Sequence, residues 1–150
     1  MTQIKNINGS YEASLEDWAS QEMVANEFIG VLSKLFYNKS IELVLYRNQL
    51  VDRSASRILY WHSYAENIIK KPLKIEDSLI LGKAILHNNV GPSKIDIGKL
   101  NREWTEELKN YVDADDFVKH KLKKLINSKA DYGKPTDLIL YGFGRIGRIL

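Results

Sequence analysis

Apolar residues recur at steps of three and four through most of the chain, a period typical of amphipathic helices. The first such stretch predicts a helix over residues 14–37, with polar residues such as Glu16 and Lys34 on its opposite face. Its apolar positions are Leu15, Trp18, Val24, Phe28, Val31, Leu32, Leu35 and Phe36. Ser14 and Asp17 have the spacing of a capping box, so we expect the helix to begin at Ser14.

Four further helical segments are predicted downstream of the first. They are residues 54–69, a segment that Asp77 or Ser78 caps and that ends near Leu86, residues 100–111, and residues 113–126. Pro72 lies just beyond the first of these segments and is expected to end it, because proline disfavours a helical conformation in the residue before it. Asp113 begins the last, whose acidic start and basic end match the sign of the helix dipole.

Two short segments have patterns that fit more than one structure. Ile41, Leu43 and Leu45 alternate as in a strand, whereas the residues that follow at steps of three fit a helical face. We favour a helix, because no nearby segment has the pattern of a strand partner. Residues 94–98 suit either an extended segment or the start of a helix. The prediction is therefore a mainly α fold, a compact irregular bundle of about five or six helices over residues 1–130.

The pattern changes near the C-terminus. Residues 131–136 are predicted to form a linker, and residues 137–141 are a short apolar run typical of a buried strand. Gly142, Gly144 and Gly147 follow in the order G-x-G-x-x-G, the arrangement with which a dinucleotide fold turns tightly and brings its backbone close to a pyrophosphate. A preceding strand is the context that this motif requires. We therefore predict the first strand and glycine-rich turn of a Rossmann fold.

The residues around these glycines resemble a particular family. Residues 142–148, Gly-Phe-Gly-Arg-Ile-Gly-Arg, are similar to the opening fingerprint of glyceraldehyde-3-phosphate dehydrogenase. Their distance from the N-terminus resembles the longer bacterial form of this enzyme, which has a helical N-terminal extension, and residues 46–47, 48–54 and 95–100 also look like parts of that extension. The resemblance implies that NAD would bind at Gly142, Gly144, Arg145, Ile146 and Gly147, with the backbone amides of Arg145 and Ile146 facing the pyrophosphate.

Several groups that this family uses do not occur in the chain. The nucleophile of the family is a cysteine, and the chain has none. The acidic residue expected about 20 positions after the glycines would lie past Leu150, and Tyr141 stands where the short-form family usually has asparagine. We therefore expect a helical extension over residues 1–130 and a truncated start of the NAD-binding domain over residues 137–150. By itself this chain is expected to lack catalysis and useful NAD affinity.

The resemblance also implies a role and partners. The parent protein would be an NAD-dependent dehydrogenase of central carbon metabolism, and the extension would serve assembly or regulation. The implied partners are the catalytic part of the same protein and further copies in a homo-oligomer. The alternatives are a non-enzymatic helical interaction module and a nucleic-acid-binding module.

Composition and charge exclude several kinds of site and partner. The chain has 150 residues, a net charge of +3 and no cysteine, which excludes disulfides and thiolate metal sites. No apolar run approaches the roughly 20 residues of a membrane span, and the N-terminus lacks a secretory signal, so we expect a cytoplasmic protein with no membrane partner. Acidic and basic residues are mixed along the chain, which argues against a nucleic-acid partner. The alternative is that the lysines of residues 119–124 contact phosphates.

Two groups of polar residues have alternative interpretations. The three histidines are too far apart in sequence to predict a metal site; we expect His62 to make a buried polar contact and His87 and His120 to be exposed. The polar run over residues 47–57 contains three arginines around Asp52. An internal ion-pair network is the favoured interpretation of this run, and recognition of an anionic ligand or an acidic partner is the alternative.

Overall fold

The computed structural model describes residues 2–129, with side-chain environments from Tyr11 onward. Five α-helices and a small mixed sheet make up this part, which confirms a mainly α fold. The helices are α1 (Thr2–Ser33), α2 (Ala55–Ile69), α3 (Ile75–His87), α4 (Ile97–Glu107) and α5 (Ala114–Lys121). The strands are β1 (Ile41–Leu45), β2 (Asn48–Gln49) and β3 (Ser93–Asp96); a π-helix (Lys34–Asn38) follows α1 and a 3-10 helix (Leu108–Asn110) follows α4.

Helix α1 is longer than its apolar pattern indicated. It begins at Thr2, so Ser14 lies inside the helix and the predicted capping box is wrong. Nothing before Ser14 stops a helix: this stretch contains no proline, and its one glycine, Gly9, costs only about 1 kcal/mol relative to alanine. At the other end, the left-handed backbone of Ser40 (φ 54°) separates the π-helix from β1.

The helix favoured over residues 41–50 is wrong, because this segment forms the centre of the sheet. β1 pairs antiparallel with β2 through a tight turn and parallel with β3, in the order β2-β1-β3. The parallel register aligns Leu43 with Ile95. One partner of β1, the two-residue strand β2, is adjacent but too short to show a strand pattern, and the other, β3, lies about fifty residues away along the chain. Residues 94–98 combine both predicted alternatives, ending β3 and starting α4.

The core lies where α1 packs against α2 and α3. Phe28 is fully buried, and its ring meets the ring of His62 edge-on at 6.4 Å between centroids. Gly82 brings α3 close to α1, since a Cβ there would lie 3.1 Å from Phe28 and 3.2 Å from Val31. The largest fully buried side chains are Phe28, Phe117, Leu35, Ile41, Leu43, Leu45, Leu50, Ile58, Leu81, Ile85, Ile97 and Val118.

Two helix ends differ from their predicted positions. α3 begins at Ile75 after Lys74, so Asp77 and Ser78 occupy its first turns rather than its cap. α5 starts after Asp113 as predicted, but it ends at Lys121 instead of continuing to residue 126. The segment beyond it folds back along residues 89–91, where Gly91 N donates to Leu125 O at 2.8 Å. Tertiary contacts thus bury its apolar residues without a helix.

No helix between Thr2 and Lys129 has both the length and the apolar character needed to cross a membrane. The predicted linker over residues 131–136 and the predicted strand and glycine-rich turn over residues 137–150 lie outside the described residues.

Candidate functional site

A single carboxylate joins the β1–β2 turn to the start of α4. Asp96 Oδ1 accepts hydrogen bonds from the backbone amides of Tyr46 (3.1 Å), Gly98 (3.1 Å) and Lys99 (3.3 Å), so it both holds the turn and caps the helix. The Tyr46 hydroxyl donates to the carbonyl of Gly98 at 3.1 Å. A Cβ at Gly98 would lie 2.7 Å from the Tyr46 ring, so only glycine permits this approach. We call this arrangement the hairpin–α4 junction.

The turn in this junction has an unusual backbone. Tyr46 and Arg47 occupy its two central positions with φ of 44° and 77°, the left-handed geometry of a type I′ turn, which normally selects asparagine and glycine. Non-glycine residues are strained by about 1–2 kcal/mol each in this region. The junction thus joins the β1–β2 turn, through Tyr46, to residues 96–99 at the end of β3 and the start of α4.

The arginines of the polar run lie on a surface instead of in an ion-pair network. Asp52 accepts a hydrogen bond from the Tyr37 hydroxyl at 3.2 Å, and every ion pair found among the described residues uses a lysine. The guanidinium of Arg53 lies 5.9 Å from the centre of the Trp61 ring, and that of Arg57 lies 5.8 Å from the Tyr60 ring. The internal network favoured from sequence is therefore wrong.

These arginines continue into an exposed aromatic stripe on α2. The side chains of Tyr60, Tyr64 and Ile68 are 55%, 51% and 61% exposed, and the two tyrosine rings stack at 6.1 Å. Because steps of three and four return to the same side of a helix, Arg57 shares this face. We call the surface formed by Arg53, Arg57, Tyr60, Tyr64 and Ile68 the α2 surface.

A shallow apolar cleft connects the α2 surface to the junction. It has a volume of about 150 Å³ and is lined by Tyr46, Asn48, Tyr64, Ala65, Ile68 and Ile69. Exposed aromatic and arginine side chains beside such a cleft are typical of protein–protein interfaces, where these residue types are enriched. The arrangement suits recognition of an apolar surface with acidic residues at its edge.

A second polar arrangement links α2, α3 and α4 inside the core. His62 is buried as predicted, with Nδ1 2.9 Å from the carbonyl of Ile58 and Nε2 3.0 Å from Ser78 Oγ. Because the carbonyl can only accept, Nδ1 carries the proton and Ser78 donates to Nε2. Asn101 Nδ2 donates to Ser78 Oγ at 2.8 Å and to the carbonyl of Lys74 at 2.9 Å.

The hydrogen bond between His62 and Ser78 is of the kind that activates a serine nucleophile, but a substrate has no access to this serine. Ser78 is fully buried, so no substrate reaches its hydroxyl. Burial lowers the pKa of His62 by more than the hydrogen bond to Ile58 and the charge of Glu76 raise it, and so favours the neutral ring. A cleft of about 300 Å³ lies against one edge of His62, with Glu66 and Lys74 at its walls. The pair thus connects α2 to α3 through a buried hydrogen bond.

The other candidate residues of the sequence lie apart from these features. His87 and His120 are exposed, as expected. Lys121 pairs with Glu103 (2.9 Å) and Glu107 (2.7 Å), so it connects α5 to α4 instead of facing outward with its neighbouring lysines. Among residues 2–129, no three histidine, aspartate or glutamate side chains come together as metal ligands.

The residues predicted to bind NAD, Gly142, Gly144, Arg145, Ile146 and Gly147, lie outside the described residues. Their assignment remains a prediction from sequence.

Over 125 residues the chain is 29% identical to a protein named "Glyceraldehyde-3-phosphate dehydrogenase-like protein" from Pseudomonas aeruginosa (strain UCBPP-PA14). The match covers 81% of this chain and 27% of that protein, so the chain spans about a quarter of the length of this relative. No family model matches the chain. The similarity supports a relationship to proteins related to glyceraldehyde-3-phosphate dehydrogenase.

Sequence reasoning missed two sets of residues in this part of the structure. The four-residue spacing of Tyr60, Tyr64 and Ile68 was visible, but the helical period also places Ile68 on the same apolar stripe as Ile58 and Ala65, and the structure shows that Ile68 is exposed. Nothing local marks Ser78 and Asn101, because their pairing depends on how three helices pack.

Proposed function

We propose that residues 1–130 form the N-terminal helical domain of a longer NAD-dependent glyceraldehyde-3-phosphate dehydrogenase of the long bacterial form. The observation that carries this proposal is the similarity of four-fifths of the chain to about a quarter of a dehydrogenase-like protein. The glycine-rich motif over residues 142–147 supports the same assignment and supplies the reason to expect NAD in the parent protein.

Within that parent, the domain serves assembly or regulation and takes no part in the chemistry. The α2 surface supports this role, because exposed tyrosines stacked beside arginines are typical of contacts between proteins. The serine–histidine pair offers no competing catalytic site, since Ser78 is sealed in the core. The proposed partners are the catalytic part of the same polypeptide and further copies in an oligomer.

The first test reads the gene beyond the codon for Leu150 and assays the full-length product. We expect an acidic residue about 20 positions after Gly142, a downstream cysteine nucleophile, and NAD reduction at 340 nm with glyceraldehyde 3-phosphate and inorganic phosphate. Gly144→Val should reduce this activity at least tenfold, because a side chain there would block the pyrophosphate. A stop codon after Leu150, or a full-length protein without NAD reduction, would contradict the proposal.

The second test uses calorimetry on the 150-residue chain. We expect no saturable heat with NAD at about 1 mM, since a lone strand and turn lack the sheet that completes a dinucleotide site. Stoichiometric NAD binding at micromolar affinity would contradict the prediction that residues 137–150 are only part of a dinucleotide-binding site.

A further inference from the structure

The N-terminal part of α1 exposes an apolar stripe. Every residue from Tyr11 to Ser20 is exposed, whereas Ala25 and Phe28 further along the same helix are fully buried. Tyr11, Leu15 and Trp18 follow the i, i+4, i+7 spacing of one helix face, and their side chains are 64%, 47% and 52% exposed. We call residues 11–22 of α1 the arm.

The arm is acidic around this stripe. It contains Glu12, Glu16, Asp17 and Glu22, and no lysine or arginine occurs between Lys5 and Lys34. On a helix with 100° per residue, Glu22 lies on the same face as the apolar stripe, Glu12 flanks it, and Glu16 and Asp17 lie further round the helix on either side. The arm thus combines apolar side chains with carboxylates on and beside the same face.

The α2 surface has the complementary character. Its centre is apolar, with Tyr60, Tyr64 and Ile68, and Arg53 and Arg57 give its N-terminal end a positive charge. The arm spans about 16 Å at 1.5 Å per residue, the same length as the stretch from Arg57 to Ile68. Size, apolar content and charge therefore match between the arm and the α2 surface.

We propose that the arm of one copy of this chain packs on the α2 surface of a second copy, and that the reverse contact forms at the same time. A rigid helix cannot bend back onto its own body, and the exposure of Tyr11, Leu15 and Trp18 shows that the apolar stripe of the arm is largely uncovered by its own chain. Because one chain carries both complementary surfaces, two copies satisfy each other in a closed two-fold dimer.

The size of this interface fits a stable but moderate contact. Four aromatic side chains from each copy, at Tyr11, Trp18, Tyr60 and Tyr64, are about half exposed. At about 150–250 Å² per aromatic side chain, covering these eight exposed portions alone buries roughly 800 Å², to which Leu15, Ile68 and the charged edges add. The total approaches the roughly 1,200 Å² at the lower end of specific protein–protein interfaces.

The inference deepens the assembly role proposed above, and its test is independent of dehydrogenase chemistry, because it measures mass instead of hydride transfer. Sedimentation velocity of the 150-residue chain at about 100 μM in about 50 mM salt should give twice the mass of one chain. Salt at about 500 mM should weaken the dimer several-fold, because exposed charge pairs are screened. A monomer in low salt would overturn the inference.

Charge reversal tests which surfaces meet. An arm variant carries Glu12→Lys with Glu22→Lys, and a face variant carries Arg53→Glu with Arg57→Glu; each alone should raise the dimer dissociation constant at least tenfold. The face variant keeps the start of α2 intact, since Arg57→Glu places a carboxylate three residues after the Ser54 cap. Circular dichroism verifies that both variants are folded.

Mixing the two variants provides the decisive measurement. Each reversed surface then meets its opposite charge on the other chain, so a heterodimer should form at close to the wild-type affinity. Lys109→Glu, an exposed reversal outside both surfaces, should leave the dimer unchanged. Likewise, Trp18→Ser should dissociate the dimer at least tenfold more than Val112→Ser, which alters an exposed residue elsewhere. Failure of the mixture to associate would refute the pairing.

Discussion

At the residue scale, the burial of His62 makes the free energy of unfolding depend on pH. Its ring contacts Phe28 and hydrogen-bonds to Ser78, and burial lowers its pKa below the ordinary value of 6.5. The unfolded chain therefore binds a proton near pH 6.5, while the folded protein does not until the pH is lower. The free energy of unfolding must then fall as the pH decreases below about 6.5.

We expect His62→Gln to flatten this pH dependence between pH 7 and pH 5, because it removes the group whose proton affinity differs between the two states. The measurement is urea unfolding at a series of pH values. His87→Gln, at an exposed position, serves as the control and should retain the wild-type slope. An unchanged slope in His62→Gln would show that another group controls the pH response.

At the element scale, the hairpin–α4 junction explains how the small sheet is attached to the helices. Asp96 satisfies the amides of Gly98 and Lys99 at the start of α4 and also the amide of Tyr46 in a strained turn. Asp113 caps α5 more simply, accepting from the Asp116 amide at 2.8 Å. Asp96 thus connects the β1–β2 turn to α4, whereas Asp113 stabilises only the start of α5.

This difference predicts unequal costs for two similar substitutions. Asp113→Ala should lower the free energy of unfolding by about 1 kcal/mol, the usual cost of losing a helix cap. Asp96→Ala should cost about 2 kcal/mol or more, because it also leaves the Tyr46 amide without its acceptor. Chemical denaturation of both variants makes the comparison, and equal losses would argue against the double role of Asp96.

The sheet also shows where local pattern is insufficient. Ile41, Leu43 and Leu45 alternate, yet a helix was the favoured interpretation because no nearby segment has the pattern of a strand partner: β2 has only two residues and β3 is distant in sequence. By contrast, α2 lies where the sequence predicted a helix over residues 54–69, before Pro72. A helix depends on neighbours three and four residues away, so its pattern is visible in a short stretch of sequence. The parallel pairing of β1 with β3 joins residues about fifty positions apart, so no short stretch of sequence reveals it.

At the scale of the whole molecule, the described part of the chain has one continuous core. Residues from α1, the sheet and α2 to α5 join the same buried cluster, including Phe28, Leu43, Ile58, Ile85 and Phe117. The domain over residues 1–130 stays a prediction from sequence, and its C-terminal boundary can be tested by truncation.

We therefore expect a chain that ends after Lys129 to unfold with the same midpoint temperature as the 150-residue chain, within about 1 °C. A shorter chain ending after Lys121 should lose about 5 °C or more, since it removes Leu125 and Ile126, which pack against the core. Differential scanning calorimetry of the three chains measures both effects. A large loss on removing only residues 130–150 would contradict the domain boundary.

The sequence by itself determined the mainly α character, the position of α2, the burial of His62 and the resemblance to a dehydrogenase. These properties follow from residue type and from spacing within a few turns of helix. Only the tertiary structure decided the pairing of β1 with β3, the contacts of Ser78 and Asn101, and the exposure of Trp18 and Tyr60. Each of these depends on which distant segment covers a side chain, and that is settled by packing of the whole chain and cannot be read from local periodicity.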